Sequence, residues 1–176
     1  MKCACVGNRR TSVLNTKRAR ALGKALGESG LLIRSGFSSG FEEGIIRSAF
    51  KAGAELEAYL PWKDYNKSLQ KKAKEIVFSP SAEAMDLASS YLANWSRSSS
   101  STRLHYARYC HVVLGPSLDD KVDFVVGLAR EKAHAYLAFL IAIEEDIPYI
   151  NLADREIDAQ LEKLPEDLRR KICEAL

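Results

Sequence analysis

Apolar and polar positions fall into alternating blocks along this chain. Lys2–Val6 reads as a short apolar strand that ends in Gly7-Asn8-Arg9-Arg10-Thr11-Ser12, a run of turn formers. Over Asn15–Ser29, Ala19, Leu22, Ala25 and Leu26 recur at helical spacing, while Lys17, Arg18, Lys24 and Glu28 supply a wet face. Gly30 stands where a helix C-terminus wants a residue of free backbone. Leu31-Leu32-Ile33 is wholly apolar, as strands buried on both faces are. It runs into Ser35-Gly36-Phe37-Ser38-Ser39-Gly40, and a helix is predicted over Phe41–Ala52 with Gly53 ending it. Glu55–Leu60 is the next strand, closed by Pro61-Trp62. Strand, helix, strand, helix, strand with short connections implies a parallel sheet with right-handed crossovers.

The middle of the chain breaks this rhythm. Lys63–Ser79 is polar and rich in lysine. Ser81–Leu92 carries helical spacing through Ala84, Leu87, Ala88 and Tyr91. Ser96–Thr102 is a serine run, and Leu104–Val113, ambiguous between helix and strand, is read as helix. Residues 63–114 are therefore expected to form a helical insertion after the third strand. Alternation resumes with a strand over Val122–Leu128, an apolar helix over Lys132–Glu145, a strand over Pro148–Leu152 and an amphipathic helix over Leu164–Ala175. The expectation is one α/β domain over residues 1–176, three-layered, with a mostly parallel sheet of five core strands.

Composition changes this picture little. The chain has 176 residues, enough for one core without disulfide or metal staples. Its net charge of +3 is too mild to predict nucleic-acid binding. The longest apolar run, Ala135–Ile143, is far short of the ~20 residues of a membrane span, so a cytoplasmic, membrane-free protein is expected. The four cysteines lack the spacing of a zinc or redox motif and read as buried thiols; no metal or cofactor is predicted.

A parallel sheet places its ligand crevice at the carboxyl ends of the strands. The loop Ser35–Gly40 stands there. Gly36 and Gly40 allow close backbone approach, Ser38 and Ser39 add hydroxyls, and the loop leads into a helix N-terminus that favours an anion. It reads either as a phosphate cradle or as a plain strand-to-helix turn. Gly7, Asn8 and Arg9 lie at the end of the first strand, where Arg9 and Arg10 either fork onto phosphate or stay solvated. Glu42 either complements the helix dipole or accepts from a ribose hydroxyl. Trp62 either stacks on a base or covers the sheet end. Asp119, Asp120 and Asp123 read as a solvated turn, with a metal or sugar site as the alternative. Arg97, Arg103 and Arg108, with His105 and Tyr106, make the insertion basic and aromatic, as a nucleotide or single-stranded nucleic acid would require.

Val6-Gly7-Asn8-Arg9, then Ile33 through Gly44, then Tyr59-Leu60-Pro61-Trp62, resembles the SLOG superfamily of DprA/Smf DNA-processing proteins and LOG nucleotide phosphoribohydrolases. The likeness is greatest to small DprA-like proteins of bacteriophages, and it continues loosely to about Ala153. The resemblance implies a Rossmann-like fold that binds a nucleotide or nucleotide-derived ligand. Relatives often carry a Gly-Gly-Thr-type phosphate loop before the last core strand's helix. Here Arg130-Glu131-Lys132-Ala133-His134-Ala135 stands in that place, so Lys132 and His134 would meet an anion through side chains. The Pro-Gly-Gly signature and catalytic glutamate of the phosphoribohydrolases have no counterpart. The leading expectation is therefore non-catalytic sequestration or sensing of a small nucleotide, in a phage setting a host signalling nucleotide, by a self-associating protein. The alternatives are a hydrolase using Glu42 or Glu43 as general base, and a module that binds single-stranded DNA or another protein.

Overall fold

A computed structural model describes residues 1–154 and 157–176. Its centre is a six-stranded, all-parallel sheet: β1 (Lys2–Gly7), β2 (Leu32–Ser35), β3 (Glu55–Leu60), β4 (Glu75–Phe78), β5 (Phe124–Leu128) and β6 (Tyr149–Asn151), in the spatial order β4-β3-β2-β1-β5-β6. The expected architecture is present with one strand more. β4 lies inside the segment predicted to be a helical insertion. Its Ile76-Val77-Phe78 is short, flanked by lysine and proline, and too brief to show a strand period.

The helices are α1 (Val13–Glu28), α2 (Phe41–Lys51), α3 (Lys67–Gln70), α4 (Ala82–Ser90), α5 (Ser100–Leu114), α6 (Tyr136–Glu144), α7 (Asp158–Leu161) and α8 (Glu166–Ala175). Serine caps open three of them: Ser12, Ser81 and Ser99 accept from the amides of Asn15, Ala84 and Thr102. The ambiguous Leu104–Val113 is helix, and the serine run supplies its cap.

Alternation along the strands makes two cores. Cys3, Cys5, Ile33, Leu56, Leu60 and Val126 face α1, α2 and α8, whereas Ala4, Val6, Tyr59 and Val125 face α4, α5 and α6. Helices α1 and α2 approach so closely that a Cβ on Gly23 would lie 2.3 Å from the Ile45 carbonyl oxygen, and glycine there is a packing requirement. Buried Arg34 ties the sheet to the segment entering β5. Its Nε donates to Glu57 at 2.8 Å and its second nitrogen to Asp120 at 2.5 Å, while Lys2 also pairs with Asp120. Burial opposes the Arg34 charge, but the bonds to Asp120 and Glu57 prevail and raise its pKa. The aspartate cluster is thus taken up internally: Asp120 by these cations and Asp123 by the Lys2 amide.

From β1 the chain runs outward through β2, β3 and β4. It then returns on the opposite face through α4 and α5 to place β5 on the other side of β1. The reversal between β1 and β5 is the topological switch point, where the loops leaving neighbouring strands diverge and open a crevice.

Candidate functional site

The loop after β2 holds an anion, and it is the protein's own. Glu42, in the first turn of α2, is fully buried. One of its oxygens accepts from the Gly7 amide at 3.1 Å and the Tyr109 hydroxyl at 2.6 Å; the other accepts from the Ser38 amide at 2.8 Å and the Ser35 hydroxyl at 3.3 Å. Phe37 adopts a left-handed φ of 51°, rare for a bulky side chain, and this turns the following Ser38 amide back onto the carboxylate. The Phe41 amide donates to the Asn8 carbonyl at 3.1 Å. Gly40 has φ 86°, and a Cβ there would lie 2.3 Å from the Arg9 carbonyl oxygen. The loop Ser35–Gly40 is therefore closed on the Glu42 side chain, with Ser35 and Ser38 bonded to it and Gly40 packed against Arg9. Four internal donors saturate the carboxylate, and no water reaches it.

The counter-charge comes from α5. Arg108 is 1% exposed, donates to the Gly36 carbonyl at 3.0 Å and the Ser38 hydroxyl at 2.7 Å, and lies 4.9 Å from the ring centres of both Tyr65 and Tyr109. Burial opposes its charge, but Tyr109 and Glu42 beside it hold the guanidinium protonated. Among the described residues its Nε has no partner.

Above this network opens a cavity of about 300 Å³ at the switch point. Its lining comes from the end of β1 (Gly7, Asn8, Arg9, Arg10), the β2 loop (Ser38), α5 (Arg108, Tyr109) and the turn before α6 (Lys132, Ala133, His134, Ala135). Four of these residues are cationic and none is acidic. Residues 132–135 were expected to be helical. They form instead a tight turn, with the Tyr136 and Leu137 amides bonded three residues back to Ala133 and His134, before α6 begins. Among the described residues, the amides of Lys132, His134 and Ala135 find no acceptor. A larger surface depression of about 460 Å³ between α1 and α2 is lined by exposed side chains such as Arg20, Lys24 and Lys51, away from the carboxyl ends of the strands and without a buried charge.

An aromatic cluster supports the cavity wall. The rings of His105 and His134 stack at 5.2 Å with planes 9° apart; Tyr106 meets His134 edge-on at 4.5 Å, and Trp62 and Tyr65 meet His105 edge-on. Burial, then Arg108, His134 and Arg9, push the His105 imidazole down to about 3. Burial, Arg108 and Arg9 also lower His134. Both rings are neutral at physiological pH. Trp62 belongs to this cluster and does not line the cavity.

The structure thus brings together Gly7, Asn8, Arg9, Ser38, Lys132 and His134 of the predicted residues. Ser39 is exposed outside the cavity, and Glu43 pairs with Arg47 at 2.8 Å beside a separate depression. Arg108 and Tyr109 carry the floor. Arg108 was legible as one of the basic residues of the insertion, three residues from His105 and so on the same helix face.

No protein-family model and no curated protein matches this sequence. Solved structures do. The molybdenum cofactor carrier protein of Chlamydomonas reinhardtii aligns at 13% identity over 92% of this chain and 80% of that one, with a TM-score of 0.55. DNA processing protein A of Streptococcus pneumoniae aligns at 16% identity over 98% of this chain and 56% of that one, with a TM-score of 0.55. The Helicobacter pylori protein of the same name, described for its single-stranded DNA binding mode, aligns at 14% identity over 99% and 79%, with a TM-score of 0.54. The shared feature is the three-layer fold that the SLOG resemblance implies.

Proposed function

We propose that this chain binds a small phosphate-bearing ligand, a nucleotide or nucleotide derivative, in the cavity at the switch point between β1 and β5. One observation carries the reading: Arg9, Arg10, Arg108 and Lys132 converge on a cavity whose lining includes no carboxylate. A site of one sign with a buried cation at its floor concentrates anions. The free amides of the Lys132–Ala135 turn add donors for phosphate oxygens, and Asn8, Tyr109 and His134 supply polar contacts that orient the rest of the ligand. The volume of about 300 Å³ suits part of a nucleotide, with the remainder on the rim formed by exposed Arg9, Arg10 and Lys132.

The reading is binding without turnover, in keeping with sequestration or sensing. Hydrolysis of a glycosidic or phosphate bond requires a carboxylate able to reach a water. Glu42 is saturated and buried, and Glu43 faces another depression. Calorimetry with AMP, ADP, cyclic nucleotides and ADP-ribose derivatives tests the proposal, with chromatography of the recovered nucleotides. The expected result is saturable binding of at least one, recovered unchanged. No heat at millimolar ligand overturns the proposal. Binding confined to oligothymidylate, weakening steeply with salt, would point instead to the single-stranded DNA role of the Helicobacter pylori protein.

A further inference from the structure

We propose that the outer edge of β4 is a docking surface for an extended acidic segment of a partner protein, added as a seventh strand. β4 pairs with β3 on one side only. The Lys74 amide donates inward to the Leu56 carbonyl at 2.8 Å. The Ser79 amide likewise donates inward to the Leu60 carbonyl at 3.0 Å, and Glu75 and Val77 stand opposite Glu57 and Tyr59 in the register between, so Glu75 and Val77 bond to β3 while Ile76 and Phe78 turn their amide and carbonyl groups outward. These groups form a short template for main-chain hydrogen bonds, the basis of strand addition.

The side chains beside this edge select the partner. On the α3 face lies a cavity of about 420 Å³ whose floor is Ile76 and the 39% exposed Phe78. Lys63, Lys67 and Lys71 stand over it. Asp64 answers Lys67 at 2.8 Å, whereas Lys63 and Lys71 pair with no carboxylate among the described residues. Glu75 lies on the opposite face of the strand with Val77, away from these lysines. An incoming strand that alternates apolar and acidic residues would lay carboxylates under Lys63 and Lys71 and main chain along Ile76 and Phe78.

Charge argues against a second copy of this chain as occupant. Pairing β4 with its own symmetry mate would bring two sets of the same lysines to one seam. The opposite sheet edge is a poorer template: β6 has three residues, and α7 packs against it.

The test is fluorescence anisotropy of the full chain with labelled Glu-Val-Glu-Val-Glu-Val-Glu-Val and Lys-Val-Lys-Val-Lys-Val-Lys-Val peptides. The acidic peptide is expected to bind and the basic one not. Phe78→Pro removes an outward donor and leaves the β3 ladder intact, so it should weaken binding roughly tenfold or more. The pair Lys63→Glu and Lys71→Glu should do the same without touching the backbone, and thermal melts confirm that both variants fold. Equal binding of the two peptides, no binding, or binding unaffected by either variant overturns the proposal. So does a concentration-dependent dimer, detected by light scattering, that Phe78→Pro abolishes.

Discussion

Two loops at the carboxyl edge of the sheet invite comparison. The one after β2, Gly36–Gly40, has the glycine and serine composition of a phosphate cradle; the one after β5, Arg130–Ala135, has bulky charged residues and no glycine. Their geometry runs against their composition. The glycine-rich loop closes on the carboxylate of Glu42, and its backbone freedom serves close packing against Asn8 and Arg9. The bulky loop remains open, with unpaired amides and a lysine and a histidine over the cavity. Donors that converge on a point do not by themselves imply an external guest, because a side chain four residues on can take the place first. What distinguishes the two loops is whether the chain carries its own acid within reach.

The contrast can be broken most severely at Glu42. Glu42→Ala leaves the Tyr109 and Ser35 hydroxyls and two amides facing an empty, buried acceptor position and Arg108 without its neighbouring acid, and should destabilise the fold by about 3–5 kcal/mol in urea titrations. A loss near zero would mean that the loop is not organised around that carboxylate. Acid acts next, through the histidines. His105, His134 and His111 all have pKa values lowered by burial, so the unfolded state takes up protons first. Stability should be full above about pH 6.5 and fall progressively below it, toward the folded value of about 3 for His105. A melting temperature flat from pH 7 to pH 4.5 contradicts this, and His105→Phe should blunt the slope. On the open loop, Lys132→Ala should weaken a phosphate ligand roughly tenfold, about 1.4 kcal/mol, while stability changes by no more than about 0.5 kcal/mol. The smallest effect is expected at Ser39→Ala. It should leave both affinity and stability unchanged, because the hydroxyl faces water outside the cavity; a clear affinity loss would restore the glycine-rich loop as the anion site.

How much of this was readable beforehand follows from the range of the interactions. Periodicity and caps mark what neighbours along the chain decide, so α1, α2, β3 and the serine-capped α4 and α5 stand near their predicted places. β4 escaped because four residues flanked by lysine and proline show no period, and only pairing with Leu56–Leu60 makes them a strand. The start of α6 was placed four residues early. Lys132–Ala135 has helical composition, but stacking of His134 on His105 holds it as a turn, through a contact with a residue 29 positions away. Asn8 and Arg9 were identifiable as strand-end residues from the topology alone, whereas Lys132 and His134 were singled out only through the resemblance to the SLOG superfamily. The role of Glu42 was not legible, since it depends on Tyr109 across the fold.

The central position of β1 has a consequence for how the protein is made. Its partner β2 emerges from the ribosome soon after it, but β5 follows only after more than a hundred residues. Until then the nascent chain carries Cys3-Ala4-Cys5-Val6 with one flank bare, and half of the crevice at the switch point does not exist. Late arrival of β5 makes this a slow, non-local pairing. Chains stalled before Phe124 should accordingly be the species that chaperones hold, and the crevice between β1 and β5 forms only once β5 has paired.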